Sequence, residues 1–415
     1  MGDAATSSES ATGDPDKADG PLTGVRVLEV GHFVAAPFCT RLLADLGADV
    51  IKLEPLDGDP VRQWGAHKNG RSLWWSVHGR NKRSVTVNLK SENGRELARR
   101  LAAQCDVVVE NFRPGQLARL GLGDDVLRKD RPDLIIAHIS GYGQNGPYRD
   151  RAAFGVIGEA IGGLRYLTNH PPGMTALPPV RVGISIGDSI AGLYCAFGIV
   201  SALLRRDRGG GATTLDVALT ESVLSMMEGM LPEYGALGLV KQPTGGGIAT
   251  AAPTNAYPTA DGDWILIAAN SDALFARLME TTGLTALDNP DFADNRGRVA
   301  HSARLDALIG GWTGARTLAE IEQLLDIADI PNSKVFTAAD IAEDPQYRAR
   351  DMVQEVEDAG LGAVLHPGVV PHLIEAPGRI RWPGPAIGAQ SEEVLSEMLG
   401  LSADNIERLR MEGVV

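Results

Sequence analysis

Cysteine is scarce in this chain. Three residues in 415, Cys39, Cys105 and Cys195, lie far apart and lack the C-x-x-C spacing of a metal or redox site. Reduced thiols in the cytoplasm are the expectation. The eight histidines are scattered with no H-x-x-x-H or H-E-x-x-H spacing, so no metal centre is expected. Basic runs are short, Lys82-Arg83 and Arg205-Arg206-Asp207-Arg208 being the densest, and the net charge is −14. That field repels a phosphate backbone, which argues against a nucleic-acid partner. The apolar stretches are broken by charge well short of the ~18–20 residues that a bilayer span needs. The N-terminus shows no basic segment followed by an apolar one, so neither a membrane nor a secretory address is expected. There is no G-x-x-x-x-G-K-[ST] run either, which disfavours a P-loop kinase or ligase.

What is present is ordinary for a soluble globular protein: 44% hydrophobic and 22% charged residues. The length exceeds the ~250–300 residues at which single cores stop growing, so two domains are expected. Residues 1–20 are small, polar and acidic, and predict a disordered tail. From Val25 the pattern alternates. Strands are expected at 25–30, 48–54, 84–89, 106–110 and 133–138, with helices at 38–46 and 94–104 between them. This implies a mostly parallel, Rossmann-like sheet covered on both faces. Helices follow at 189–203 and about 220–230. Gly and Thr become dense around 243–247, which reads as a linker or mobile loop. A second, smaller α/β segment opens at Trp264, with helices near 271–283, 301–311 and 317–329. Beyond 346 the chain is irregular and ends in short helices at 391–399 and 403–411.

The first strand-turn-helix lacks G-x-G-x-x-G, and Phe33 and Val34 would keep a pyrophosphate off its backbone. A literal match, Gly141-Tyr-Gly-Gln-Asn-Gly146, is followed by Pro147 rather than an apolar helix. Gly183-Ile-Ser-Ile-Gly187 has the letters of a hydrolase elbow. Its Ser185 sits among strand-like neighbours, with the helix expected only from Ser189. His32, at a strand's C-terminal end, is the histidine best placed to meet a ligand. Gly187-Asp188-Ser189 puts a carboxylate at or beside a helix N-cap. Such a residue is most often a plain cap. The helix end also favours its ionised form, and an ionised carboxylate there can act as a nucleophile.

Seven blocks in order resemble the class III CoA-transferases, a family that includes carnitine, bile-acid and formyl-CoA transferases and the 2-methylacyl-CoA racemases. They are Leu22–Val30, Leu42–Glu54, Asn81–Val85, Val109–Gly115, Gly141–Pro147, Val182–Asp188 and Asp261–Trp264, and the likeness spans 21 to 415. The resemblance implies Asp188 as the catalytic aspartate. Around CoA it implies His32, Phe33, Val34, Ala35, Lys90, Asn111, Phe112 and Arg119, with Gly245, Gly246 and Gly247 as a mobile substrate loop. It also implies a large Rossmann-like domain built from both chain ends (21–225 and 346–415), a small α/β domain with its linker (226–345) and an interlocked homodimer. Acyl-CoA and a carboxylic acid are the implied substrates, with no permanently bound cofactor and no metal. Succinyl-CoA and a small dicarboxylate are expected by analogy.

The departures narrow the reading. The racemase branch has a histidine where Phe154 stands, so two-base chemistry at an α-carbon loses a base. The formyl-CoA branch has a glutamine at the place of Val34, and many members have an acid at that of Gly155. Glu159, one helical turn on, is expected either to replace that acid or to be plain surface. A racemase and a non-catalytic acyl-CoA-binding protein are the alternatives.

Overall fold

The computed structural model describes residues 20–285 and 289–415. The expected tail therefore lies, apart from Gly20, outside the described residues. The chain divides into two compact units. One joins the chain up to Gly163 with Gly183–Met227 and Pro345–Val415; the other holds Leu164–Val182 and Glu228–Asp344. Residues 164–182, which the sequence reading places in the large domain, group with the second unit.

The first unit is organised by a six-stranded sheet: β1 Arg26–Glu29, β2 Asp49–Glu54, β3 Lys82–Thr86, β4 Val107–Glu110, β5 Ile135–Ser140 and β6 Thr214–Ala218. The order is β3-β2-β1-β4-β5-β6 with every pairing parallel, the doubly wound arrangement of a Rossmann-like fold. Alternation along the strands divides the core in two. Val27, Val50, Val107, Val109, Ile135 and Ala137 face one side. Leu28, Ile51, Leu53, Val85, Val108 and Ile136 face the other.

Helix α1 (Ala35–Asp45) covers the first face with small residues, alongside the long helix α4 (Ile186–Arg205). A Cβ on Gly192 would lie 2.7 Å from Ala35 O, so glycine lets the two helices approach. Helix α2 (Glu92–Ala103), capped by Ser91 Oγ, covers the second face. There it is joined by α5 (Ser391–Leu399) and α6 (Ala403–Met411), which add Val394, Leu395 and Ile406 to the core.

Several expectations are corrected. The sequence pattern signals neither β6 nor the antiparallel hairpin Val353–Asp358 with Gly362–Pro367. Helix α4 begins at Ile186 rather than 189, and no strand precedes Ser185, which is its N-cap. The helix expected at 220–230 is two pieces, Leu219–Leu224 and Met230–Leu237. With its continuation to Gly210, α4 is also long and apolar enough to cross a membrane by length and composition. Ala191, Cys195 and Ile199 on it are fully buried, the 3.6-residue period of a core helix.

The second unit carries a three-stranded antiparallel sheet of Thr254–Pro258, Trp264–Ala268 and Asn332–Lys334. Phe275, Leu278, Leu305, Ile309 and Ile321 from its helices close the core over Ile265 and Ile267.

Candidate active site

Strand order reverses between β1 and β4, and the turns that follow these two strands part there to leave a crevice. Two cavities open beside them. One, of about 400 Å³, is lined by Val30, His32, Leu56, Lys90, Phe112 and Gln116 among others. The second, of about 210 Å³, has His32, Phe33, Asn111, Phe112, Phe154 and Asp188 in its wall. His32 and Phe112 serve both, their rings edge-on at 5.3 Å.

The turn after β1 is held in an unusual shape. Phe33 has φ +64°, a left-handed conformation that bulky residues avoid. Its N–H donates to Asp59 Oδ1 at 3.1 Å, and its ring packs 5.0 Å from Trp64 and 6.3 Å from Phe154. Asn111 grips the neighbouring residue twice: its Oδ1 accepts from His32 N at 2.7 Å, and its Nδ2 donates to His32 O at 2.8 Å. A Cβ on Gly31 would come within 2.6 Å of Asn111 Oδ1, so that grip needs glycine.

Behind the turn, Lys52 Nζ lies 2.6 Å from Asp59 Oδ2 and 2.8 Å from Glu29 Oε1, and it also donates to Gly31 O. Lys82 pairs with Glu29 Oε2 at 2.8 Å. Burial alone would raise the Asp59 carboxyl, but the Lys52 charge and the hydrogen bonds it accepts hold it well below the usual range. Lys52 is pushed up by Asp59 and Glu29 despite burial.

The turn after β4 is tied in a similar way. Phe112 N donates to Glu110 Oε2 at 2.6 Å. The other Glu110 oxygen meets His138 Nδ1 at 2.5 Å, and His138 Nε2 meets Asp124 Oδ1 at 3.0 Å. Burial would lower His138, but the hydrogen bonds that its ring donates to Asp124 and Glu110 push it up to about 10.

Asp188 lies in the first turn of α4, where the helix end favours a negative charge. Its carboxylate rests on the backbone of helix α3 (Gly155–Ile161): a Cβ on Gly155 would lie 2.1 Å from Asp188 Oδ2. Gly187 is equally close-set, its Cβ position 2.7 Å from Gly155 O and 3.4 Å from Glu159 Cγ. Glu159 is 1% exposed, so it is not surface.

Of the residues expected around a ligand, His32, Phe33, Ala35, Asn111 and Phe112 line the smaller cavity and Lys90 the larger. Val34 is buried and Arg119 exposed, and neither is in these walls. The amide of Asn111 is spent on the His32 backbone. Gly245, Gly246 and Gly247 belong to the second unit, where Gly245 N donates to Asn169 O at 3.1 Å. Arg113 and Arg151 also line the Asp188 cavity, and Leu56 the larger one; none was singled out from the sequence. Leu56 follows the C-terminal end of β2, where the crevice rule for parallel sheets could have found it. Among the described residues, no group of three or more His, Cys, Asp or Glu side chains is arranged to hold a metal ion.

A Rossmann-like sheet with cavities at its switch point, one of them with a carboxylate at a helix start in its wall, is the arrangement of an α/β protein that binds a ligand outside the carboxyl ends of its strands. Residues 22–391 match CoA-transferase family III. The chain is 44% identical over 398 residues to succinyl-CoA–D-citramalate CoA-transferase of Chloroflexus aurantiacus, covering 95% of this chain and 98% of that one. It is 38% identical over 400 residues to the beta subunit of succinyl-CoA–L-malate CoA-transferase from the same organism, covering 95% and 98%. A crystal structure of a CAIB/BAIF family protein from Brucella suis superimposes with a TM-score of 0.82 at 31% identity, over 91% of this chain and 99% of that one. The chain belongs to CoA-transferase family III, and it is a class III CoA-transferase acting on CoA thioesters.

Proposed function

We propose that this transferase moves CoA from succinyl-CoA to a small dicarboxylate, with Asp188 as its covalent nucleophile. The observation that carries the reading is the Asp188 carboxylate in the wall of a cavity that shares His32 and Phe112 with the larger one. The larger cavity takes the CoA moiety, with Lys90 on its wall and exposed Arg119 on the short helix Gln116–Arg119 supplying charge for the phosphates. Both curated relatives name succinyl-CoA as donor and a dicarboxylate as acceptor. Arg113 and Arg151 give the Asp188 cavity cations for a distal carboxylate.

In this reading Asp188 attacks the thioester carbonyl and expels CoA thiolate, leaving an aspartyl-succinyl anhydride. The thiolate, still held by its own pocket, attacks the aspartyl carbonyl and releases succinate. The resulting aspartyl-CoA thioester is attacked by the acceptor carboxylate. The second anhydride then yields the new acyl-CoA and free Asp188 when the thiolate returns. One thioester replaces another, so the exchange is close to isoenergetic and consumes no ATP. The N–H groups at the start of α4 are candidate oxyanion donors. The glycine run 245–247 enters as the mobile substrate loop that the resemblance implies.

Phe154 in the wall, where a racemase needs a second base, supports transfer over racemisation. Free, fully buried thiols support a cytoplasmic enzyme. A homodimer completes the proposal, supported by an outward apolar face on α4 formed by Leu193, Phe197, Val200 and Leu204.

The test is mass-spectrometric detection of CoA exchange from succinyl-CoA to a panel of mono- and dicarboxylates. Transfer to dicarboxylates with an aspartyl hydroxamate formed at residue 188 in the presence of hydroxylamine is expected. Solvent deuterium entering the α-carbon of a 2-methylacyl-CoA without acceptor would overturn it.

A further inference from the structure

We propose that Asp59, fixed by Lys52, is a positioning residue that holds the His32–Phe33 turn in its binding shape before any ligand arrives. The inference rests on the acyl-CoA site proposed above.

An aromatic residue in the left-handed region persists only where its surroundings over-determine it. Asp59 provides the one hydrogen bond to the strained residue's own N–H, through Oδ1, and the same oxygen caps the short helix Pro60–Gln63 at Val61 N, 2.9 Å away. Oδ2 is taken by Lys52, while Asp59 N donates to Glu54 Oε2 at 2.8 Å. The carboxylate therefore has little freedom to turn away. Lys52 reaches the turn a second time through Gly31 O, so one ammonium group fixes both sides of His32.

Glu29, Lys52 and Lys82 are 0% exposed. Buried ions of this kind are a costly way to fill a core when apolar residues would pack as well. Here Lys52 ends on Gly31 O of a turn that faces two cavities, which an apolar residue could not hold, and Glu29 steadies it while pairing with Lys82, which reaches Pro37 O of α1. Asn111 grips His32 from the turn after β4, and Trp64 and Phe154 fix the Phe33 ring. The turn that carries the shared wall of both cavities is thereby set by the protein's own contacts, which removes an ordering cost from CoA binding.

Hydrogen exchange of the unliganded wild-type enzyme tests this without any substitution. The Phe33 amide is expected to exchange at least a hundredfold more slowly than an unstructured amide; exchange at the open-loop rate would overturn the proposal. Calorimetric titration with coenzyme A then compares variants. Asp59→Ala is expected to lose CoA affinity at least tenfold, and Asp59→Asn, which keeps an acceptor for Phe33 N–H, to recover most of it. Asp45→Asn disturbs a comparable buried pair, Asp45 with Arg80 at 2.6 Å, and is expected to lower the melting temperature with CoA affinity within twofold. A folded Asp59→Ala enzyme that binds CoA like wild type, or an equal affinity loss in Asp45→Asn, would sink the positioning role. Failure of the wild type to bind CoA would instead overturn the acyl-CoA site, and the exchange measurement would still decide the state of the turn.

Discussion

A methyl group at position 155 would lie 2.1 Å from Asp188 Oδ2 and 2.8 Å from its Cγ, so the carboxylate occupies room that only glycine leaves. Gly155→Ala must rotate Asp188 or push α3 away from α4. Misplacement of a reacting group by about an ångström costs on the order of a hundredfold in rate. The expected outcome is a kcat lowered by roughly that factor with CoA affinity unchanged, measured by steady-state exchange and titration. Asp188→Asn keeps the side chain's shape at the helix start and removes the proposed nucleophile; it is expected to abolish exchange and hydroxamate formation while leaving CoA binding intact. Asp188 stands out in the sequence because it ends a recognisable block. The role of Gly155 does not, and the position registers there only as a missing acid. The meaning of that absence depends on which side chain packs against position 155, and contact across 33 residues leaves no periodic trace. Glu159 is ambiguous for the same reason: its burial comes from elements packed against its helix, which the local sequence does not show.

At the scale of elements, the strands read well where both faces are buried. β1, β2, β4 and β5 are runs of Val, Ile and Leu bounded by turns. β6, Thr-Leu-Asp-Val-Ala, lies at the sheet's edge with its first and third residues exposed, and looks like ordinary polar chain. Helix α4 starts three residues earlier than expected because Ile184 and Ile186 imitate a strand, while packing of Gly187 on Gly155 sets the true start.

His138 on β5, gripped by Glu110 on β4 and by Asp124, makes a pH prediction. Its folded pKa, about 10, stands above its ordinary 6.5, so the folded state binds the extra proton. That stabilisation is complete below pH 6.5 and is lost as pH rises through 10. The melting temperature is expected to fall between pH 7 and 10, and His138→Gln, less stable at pH 7, should show a shallower decline by calorimetry. The chain's end supports the same crevice: Asn88 N donates to Val414 O at 2.8 Å, two residues before Lys90. Deleting residues 412–415 is expected to weaken CoA binding several-fold as the 88–90 loop loosens, with the sheet's circular dichroism retained.

For the whole molecule, α4 poses a problem of covering. Its inner face is core, yet Phe197 is 70% exposed and Leu193, Val200 and Leu204 stand beside it on the outward side. Large apolar residues grouped on one helix face are uncommon on monomer surfaces and mark a contact with another chain. In the proposed homodimer a second copy covers this face. The resemblance adds an interlocked arrangement, in which subunits cannot part without opening. Sedimentation at nanomolar concentration is then expected to show a dimer with no monomer fraction. Phe197→Glu, which places a charge in the covered face while leaving Asp188 and both cavity walls untouched, should yield monomer or insoluble protein. The matched malate transferase is named as a beta subunit, so the partner of such a face need not be identical in every relative. Full exchange activity from this chain expressed alone would fix the partner as a second copy. Activity appearing only when a different, homologous chain is co-expressed would replace the homodimer with a heteromer and leave the covered face of α4 as the contact.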